Sequence, residues 1–355
     1  MEKINETLKN IGEAIDKIKN KECKIVFLSP DTKGTARASV AYIYRQALIL
    51  KNNGYSVSIL HEKNDYIKPG GWLGEEFDGL EHTSIENNDL KVGPQDFIVV
   101  PEIYANIFEQ IQQLPIDKII LVQSYDYLLD SFSPGTSWLN FDVTECITTS
   151  KSLVDMIDEL GETNIQFVNP AVSDLFTKSE MPQKPIVSIH CRDQRKAAKI
   201  IKTFYLKYPL YRFISFKDMH GMTEADFATN LKESALSVWI DDDSTFGTYP
   251  IESIKCGVPV IGKVPNIIPE WMTDDNGIWV FEQSYLPAMV NTTSYDTICH
   301  EHLEYYSVTF IFNLLKIFLK LNPYLKHNFL FLSTSTFKPL FGSRSFFNLF
   351  CIFFI

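Results

Sequence analysis

Apolar residues recur along the chain in two alternating patterns, short continuous runs and stripes spaced three to four apart, which predict strands alternating with helices. Lys24 to Leu28 (KIVFL) reads as a buried strand, followed by the polar loop SPDTKGTARAS and a helix over Val40 to Asn52. Gly54 closes that helix as a C-terminal cap, and Tyr55 to Leu60 (YSVSIL) is the next strand. The opening is therefore a βαβ unit, with the right-handed crossover such units adopt. Further strands are expected at Phe97 to Val100, Lys118 to Val122, Glu145 to Thr148 and Gln166 to Val168, with helices at Tyr104 to Gln113 and Lys151 to Leu160. A doubly wound, mostly parallel α/β sheet follows from this order.

After Asn169-Pro170 the alternation restarts. Strands are expected at Ile186 to His190, Tyr211 to Phe216, Ala235 to Ile240, Val258 to Ile261 and Gly277 to Val280. Helices are expected at Arg195 to Lys207, at Glu224 to Ser234 and around Glu252. Two successive Rossmann-like units facing one another leave a cleft between them, where ligands bind. The expected division is an amphipathic helix over 1–22, a first domain over 23–169, a second over 170–290, and a segment of different character over 291–355. In the N-terminal stretch Ile4, Leu8, Ile11, Ile15 and Ile18 recur at helical spacing without the continuous apolar core of a signal peptide. Between Tyr305 and Ile355 there are five basic residues, no acidic one, and 12 of the chain's 26 phenylalanines, a break that marks a segment of different origin.

A formal charge of -11 over 355 residues argues against nucleic acid as the main partner, although a cleft can be locally basic inside an acidic protein. The six cysteines are scattered and show no CxxC spacing, which favours free buried thiols in a reducing, cytoplasmic setting over disulfides or a zinc site. The tail segment FIFNLLKIFLKL could form a basic amphipathic helix lying on an anionic inner membrane face, or else a poorly ordered end. No stretch reaches the length of uncharged apolar residues that a spanning helix needs.

Chemistry concentrates in DDDSTFGTYPIESIKCGVPVIG, Asp241 to Gly262. A strand, a loop with Gly247 and a helix, in that order, place backbone N–H groups and a helix N-terminus at the strand's carboxyl end, which suits a phosphate-bearing ligand. Glu252 lies one turn further in, placed to accept hydrogen bonds from a ribose or sugar hydroxyl; the bland alternative is a first-turn glutamate complementing the helix dipole. Asp241, Asp242 and Asp243 do not make a metal site, because consecutive side chains on an extended segment point opposite ways. His300-Glu301-His302 lacks metal-binding spacing, and no metal or cofactor is expected.

The Gly34 loop, the turn VNPAVSDLF (Val168 to Phe176) and the Asp241 to Gly262 stretch together resemble family 4 glycosyltransferases of the GT-B fold. The resemblance runs over roughly Lys24 to Phe281 and is most specific at Gly257-Val258-Pro259 and at EWMTDDNGIWV, Glu270 to Val280. ILVQSYDYLLDSF further resembles a subgroup that includes rhamnosyltransferases. The implied activity is sugar transfer, with retention, from a nucleotide-diphosphate donor to a glycan or lipid-linked acceptor, without a metal ion.

The resemblance also assigns roles. Arg192 and Lys196 would neutralise the diphosphate, aided by Gly34 and the loop Thr245, Phe246, Gly247 and Thr248, while Glu252 would hold the ribose. Thr35 and Tyr125 would meet the acceptor, and Asp126 would orient its hydroxyl or cap a helix instead. One departure stands out: the family carries two glutamates separated by seven residues, and here the first position is Ser244. Loss of that charge keeps open an alternative, a nucleotide-sugar-binding protein with impaired catalysis. TTSYDTICHEHLEYYSV, Thr292 to Val308, resembles a piece of sugar-nucleotide C-methyltransferases, the other alternative, but no Gly-rich S-adenosylmethionine loop precedes it.

Overall fold

Two all-parallel sheets organise the chain. The structure, a computed structural model, describes residues 22–87, 90–104, 107–143, 145–161, 164–178, 183–240, 247–265 and 267–280. The expected N-terminal helix, the loop residues Asp241 to Phe246, the His300 segment and the Phe-rich tail lie outside them.

The first sheet has seven strands, β1 (Lys24–Leu28), β2 (Ser56–His61), β3 (Glu81–Ser84), β4 (Phe97–Pro101), β5 (Asp117–Val122), β6 (Glu145–Thr148) and β7 (Asn164–Phe167), in the order β3-β2-β1-β4-β5-β6-β7. Alternate side chains of each strand enter different cores, as the two-residue period of a strand requires. Val26, Leu28, Ile98, Val100, Ile120 and Val122 pack on one face. Phe27, Ile59, Val99 and Leu121 pack on the other. Helix α1 (Ala38–Asn52) covers the second of these faces through Val40, Ile43, Tyr44 and Ala47. It ends in a Schellman motif: Gly54, at φ 86, donates its N–H to the Lys51 carbonyl and Tyr55 donates to that of Leu50. The other helices of this half are α2 (Glu75–Asp78), α3 (Ile107–Ile111), α4 (Tyr125–Ser131) and α5 (Lys151–Asp158).

The second sheet has five strands, β8 (Lys184–Cys191), β9 (Ser215–Asp218), β10 (Ser234–Ile240), β11 (Val260–Lys263) and β12 (Ile278–Val280), in the order β12-β11-β10-β8-β9. Helices α6 (Gln194–Lys207), α7 (Glu224–Glu233) and α8 (Thr248–Lys255) flank it. Strand β10 is buried along its whole length, with Leu236, Val238 and Ile240 in one core and Trp239 in the other. Such two-sided burial is the mark of a central parallel strand.

The elements that differ from expectation include the short helix α2, which was not expected, and two strands. The strand expected at Tyr211 to Phe216 forms at β9 instead, because Pro209 opens a 3₁₀ turn over Pro209–Tyr211 that takes up the start of that run. Strand β3 was not expected, since Glu-His-Thr-Ser carries no apolar signature; it pairs only with β2, at the sheet's edge.

Each sheet has one point where the winding direction reverses, between β1 and β4 in the first and between β8 and β10 in the second. In open α/β sheets ligands bind outside the strands' carboxyl ends at such points.

Candidate functional site

The loops at those two positions hold most of the residues singled out from sequence. After β1, Lys33 (φ 50) and Gly34 (φ 78) form the centre of a tight turn closed by the Thr35 N–H donating to the Thr32 carbonyl at 3.0 Å. Two successive positive φ values make this a type I′-like turn, which glycine adopts without steric cost. Asp31 fixes the loop by accepting from the Lys33 N–H at 2.9 Å and from the Ile67 N–H at 3.4 Å. Gly34 is exposed at the crest.

After β5, Tyr125 and Asp126 open α4, whose N-cap, Ser124, makes no side-chain capping bond. Tyr125, the residue expected to meet the acceptor, is half-buried and packs against the first core. Asp126 is partly buried in the first turn. Beneath them lies Glu102, which sequence reasoning missed. It follows β4 at the first winding reversal, is buried, and accepts the Ser124 N–H at 2.9 Å. Burial pushes its carboxyl up to about 8, partly offset by backbone N–H groups.

In the second half, Cys191 pairs with Ile240 across β8 and β10, so Arg192 leaves the sheet beside the end of β10. Arg192 is exposed and reaches across to the first half. Its guanidinium donates to the Tyr127 hydroxyl, and its carbon lies 5.9 Å from the centre of that ring. The carboxyl-terminal edges of the two sheets therefore face one another. The next residues behave differently from expectation, because Asp193 caps α6 with its own carboxylate, accepting from the N–H groups of Arg195 at 2.8 Å and Lys196 at 3.4 Å. This helix start is already occupied by an internal anion. Lys196 is half-buried in its first turn.

Helix α8 starts without that device: Gly247 is its N-cap and supplies no capping side chain. A Cβ at Gly247 would come 2.6 Å from the Trp239 indole, so this glycine lets the helix start sit directly on β10. Thr248 is buried at the first helical position. Ser244, Thr245 and Phe246 lie outside the described residues.

Glu252 is 7% exposed, on the inner side of α8. Burial raises its carboxyl to about 7; the Arg45 guanidinium and a hydrogen bond with Thr248 pull it back down, and Glu224 pushes it up further. Arg45 comes from α1 in the first half and forms a buried ion pair with Glu224 at the start of α7. Glu224 also donates its backbone N–H to the Trp72 carbonyl at 2.8 Å. Glu252 thus sits behind the interdomain Arg45–Glu224 pair. A cavity of about 580 Å³ lined by Arg45, Trp72 and Glu224, and by Ala171 to Leu175 of the turn VNPAVSDLF, adjoins this pair; none of the residues given donor, acceptor or catalytic roles from sequence lines it. Glu270, in the sequence-matched EWMTDDNG segment, makes another bridge, accepting from the Ser150 hydroxyl at 2.9 Å and the Lys151 N–H at 3.0 Å at the start of α5. Neither Arg45 nor Glu270 was legible, since each meets its partner across more than a hundred residues of chain.

Among the described residues no three His, Cys, Asp or Glu side chains gather as a metal site, and no helix is long and apolar enough to cross a membrane. Among the described residues, Cys23, Cys146, Cys191 and Cys256 are buried thiols outside any disulfide.

Two facing, doubly wound parallel α/β halves define the GT-B glycosyltransferase fold. Solved structures share it. The pneumococcal O-GlcNAc transferase GtfA, in complex with UDP and GlcNAc, superposes with a TM-score of 0.59 at 10% identity, covering 84% of this chain and 93% of that one. Sucrose-phosphate synthase from Thermosynechococcus elongatus gives 0.51 at 13% identity, covering 88% and 98%. In sequence, an alpha-1,6-glucosyltransferase of Actinobacillus pleuropneumoniae is 22% identical over 214 residues, 57% of this chain. The match spans 63% of that protein's length. No protein-family model matches the chain.

Proposed function

We propose that the chain is a glycosyltransferase that moves a hexosyl or deoxyhexosyl group from a nucleotide-diphosphate donor to a glycan or lipid-linked acceptor, with retention of anomeric configuration. One observation carries the reading: Gly34, Asp126, Arg192 and Gly247, singled out from sequence, all follow strand ends on the two facing carboxyl-terminal edges. The likeness to a glucosyltransferase sequence and to a UDP-bound transferase fold supports the same conclusion.

The chemistry requires stabilisation of the departing diphosphate. Arg192 would leave Tyr127 and fork two phosphate oxygens, with Lys196 as a second point charge. Because Asp193 already occupies the start of α6, the backbone donors for phosphate would be those at the start of α8, whose N-cap Gly247 carries no capping side chain, with Thr245 and Phe246 before it. Glu252 would accept from the ribose, with Thr248 and Arg45 holding its carboxylate, and Ser244 would contact the transferred sugar. Asp126 would orient the acceptor hydroxyl, and Thr35 beside Gly34 would shape the acceptor side. Closure of the halves would exclude water from the activated sugar.

Nucleotide titration tests this. Arg192→Ala should weaken nucleoside diphosphate binding about tenfold or more, as loss of a charge-assisted pair does, and Tyr127→Phe should not. Equal affinity in wild type and Arg192→Ala would refute the assignment. A second reading, a sugar-nucleotide sensor without transfer, is favoured by Ser244 in the glutamate position; tight binding with neither transfer nor donor hydrolysis would establish it.

A further inference from the structure

We infer that α6 and the turn after it form a docking surface for an anionic lipid bilayer. From Gln194 to Lys217 the chain carries seven Lys or Arg and no Asp or Glu, within a protein of net charge -11. Arg195, Lys199, Lys202 and Leu206 are all exposed, and their spacing of four, three and four residues puts them on one face of α6. On the opposite side Ala197 and Phe204 are buried in the core.

The cationic stripe ends in an apolar tip. Leu206 is 81% exposed, Leu210 71% and Phe213 47%. These side chains stand on a rigid base rather than on a loose loop. Phe204 packs against the rings of Tyr205, Tyr208, Tyr211 and Phe216 with centroids 5.1 to 6.4 Å away. The Tyr205 hydroxyl donates to the Ile214 carbonyl at 2.5 Å, tying the turn to the helix. Arg212 is exposed between Leu210 and Phe213.

Charge complementarity selects the occupant. A helix with a Lys/Arg face and exposed Leu and Phe at its end fits an interface where cations meet anionic headgroups and apolar tips enter the acyl boundary. A nucleic acid would use the cations but leave the two leucines in water. A symmetric second copy would bring like-charged stripes together. The surface begins at the residue pair after Arg192, so a bilayer seated on it would lie beside the interdomain cleft.

Flotation of the full chain with vesicles tests the inference. Wild type should bind phosphatidylcholine vesicles containing phosphatidylglycerol and not phosphatidylcholine alone, and high salt should weaken the binding. Lys199→Ser with Lys202→Ser and Arg212→Ser should reduce the partition coefficient on the order of 100-fold, and Leu206→Ser with Leu210→Ser about tenfold. All five side chains are exposed, so thermal melting should be unchanged; if either combination melts early, Leu206→Glu alone is read in the same flotation and should lose binding. Equal binding to neutral vesicles, or unchanged binding by the variants, would overturn the inference. So would a change in sedimentation showing that Leu206 and Leu210 mediate self-association or protein capture instead.

Discussion

Replacing Glu252 by glutamine removes a buried carboxyl whose proton affinity the fold has raised from 4.5 to about 7. The sign follows from linkage. Between those two values the folded protein holds a proton that the unfolded chain has released, so the wild type loses stability as pH rises through this window. The full loss corresponds to about 3 kcal/mol at neutral pH and above, an order-of-magnitude figure, and is absent near pH 4.5. Glutamine does not titrate, and Glu224 and Arg45 remain in both proteins, so the difference between them isolates position 252. Urea unfolding, followed by the fluorescence of buried Trp239, should give nearly equal midpoints at about pH 5 and a glutamine variant more stable by a few kcal/mol at about pH 8. The same variant should bind nucleoside diphosphate less tightly, because a ribose hydroxyl loses its charged acceptor. Stability curves that stay parallel across the pH range would refute the placement of Glu252 behind the Arg45–Glu224 pair.

Two further substitutions probe the frame around it. Arg45→Met leaves Glu224 and Glu252 buried without their cation and should cost about 3 to 5 kcal/mol in denaturant unfolding, with much of the loss recovered when Glu224→Gln is added. Gly247→Ala drives a methyl group to 2.6 Å from the Trp239 indole and should cost about 1 to 3 kcal/mol, read as a lower urea midpoint, and no loss would show that α8 can shift away from β10.

Most of the architecture was legible because parallel strands buried on both faces announce themselves as apolar runs. KIVFL and ALSVWI needed no partner to be recognised. Glu81 to Ser84 was invisible for the opposite reason: an edge strand of polar residues is specified by its neighbour β2, not by its own pattern. Tyr211 to Phe216 looked like a strand because its aromatic residues mimic one, while their actual work is to pack around Phe204. In the site, strand-loop-helix order put Gly34 and Gly247 after strand ends, where the structure has them, since that follows from local pattern alone; Arg192 was singled out by the family resemblance. What surrounds each group was not legible. The Asp193 cap turns on one loop conformation, and the Arg45–Glu224 pair joins residues separated by 179 positions. Glu102 read as an ordinary polar residue after a strand, and only the fold shows it buried beneath the start of α4.

The most direct measurement is release of nucleoside diphosphate from a panel of nucleotide sugars by the full chain, with and without glycan or lipid-linked acceptors. The account predicts that one donor is consumed faster when its acceptor is present, that the sugar appears on that acceptor, and that Arg192→Ala reduces the rate at least tenfold. Donor that remains intact with every acceptor, or turnover that is indifferent to Arg192, would contradict it.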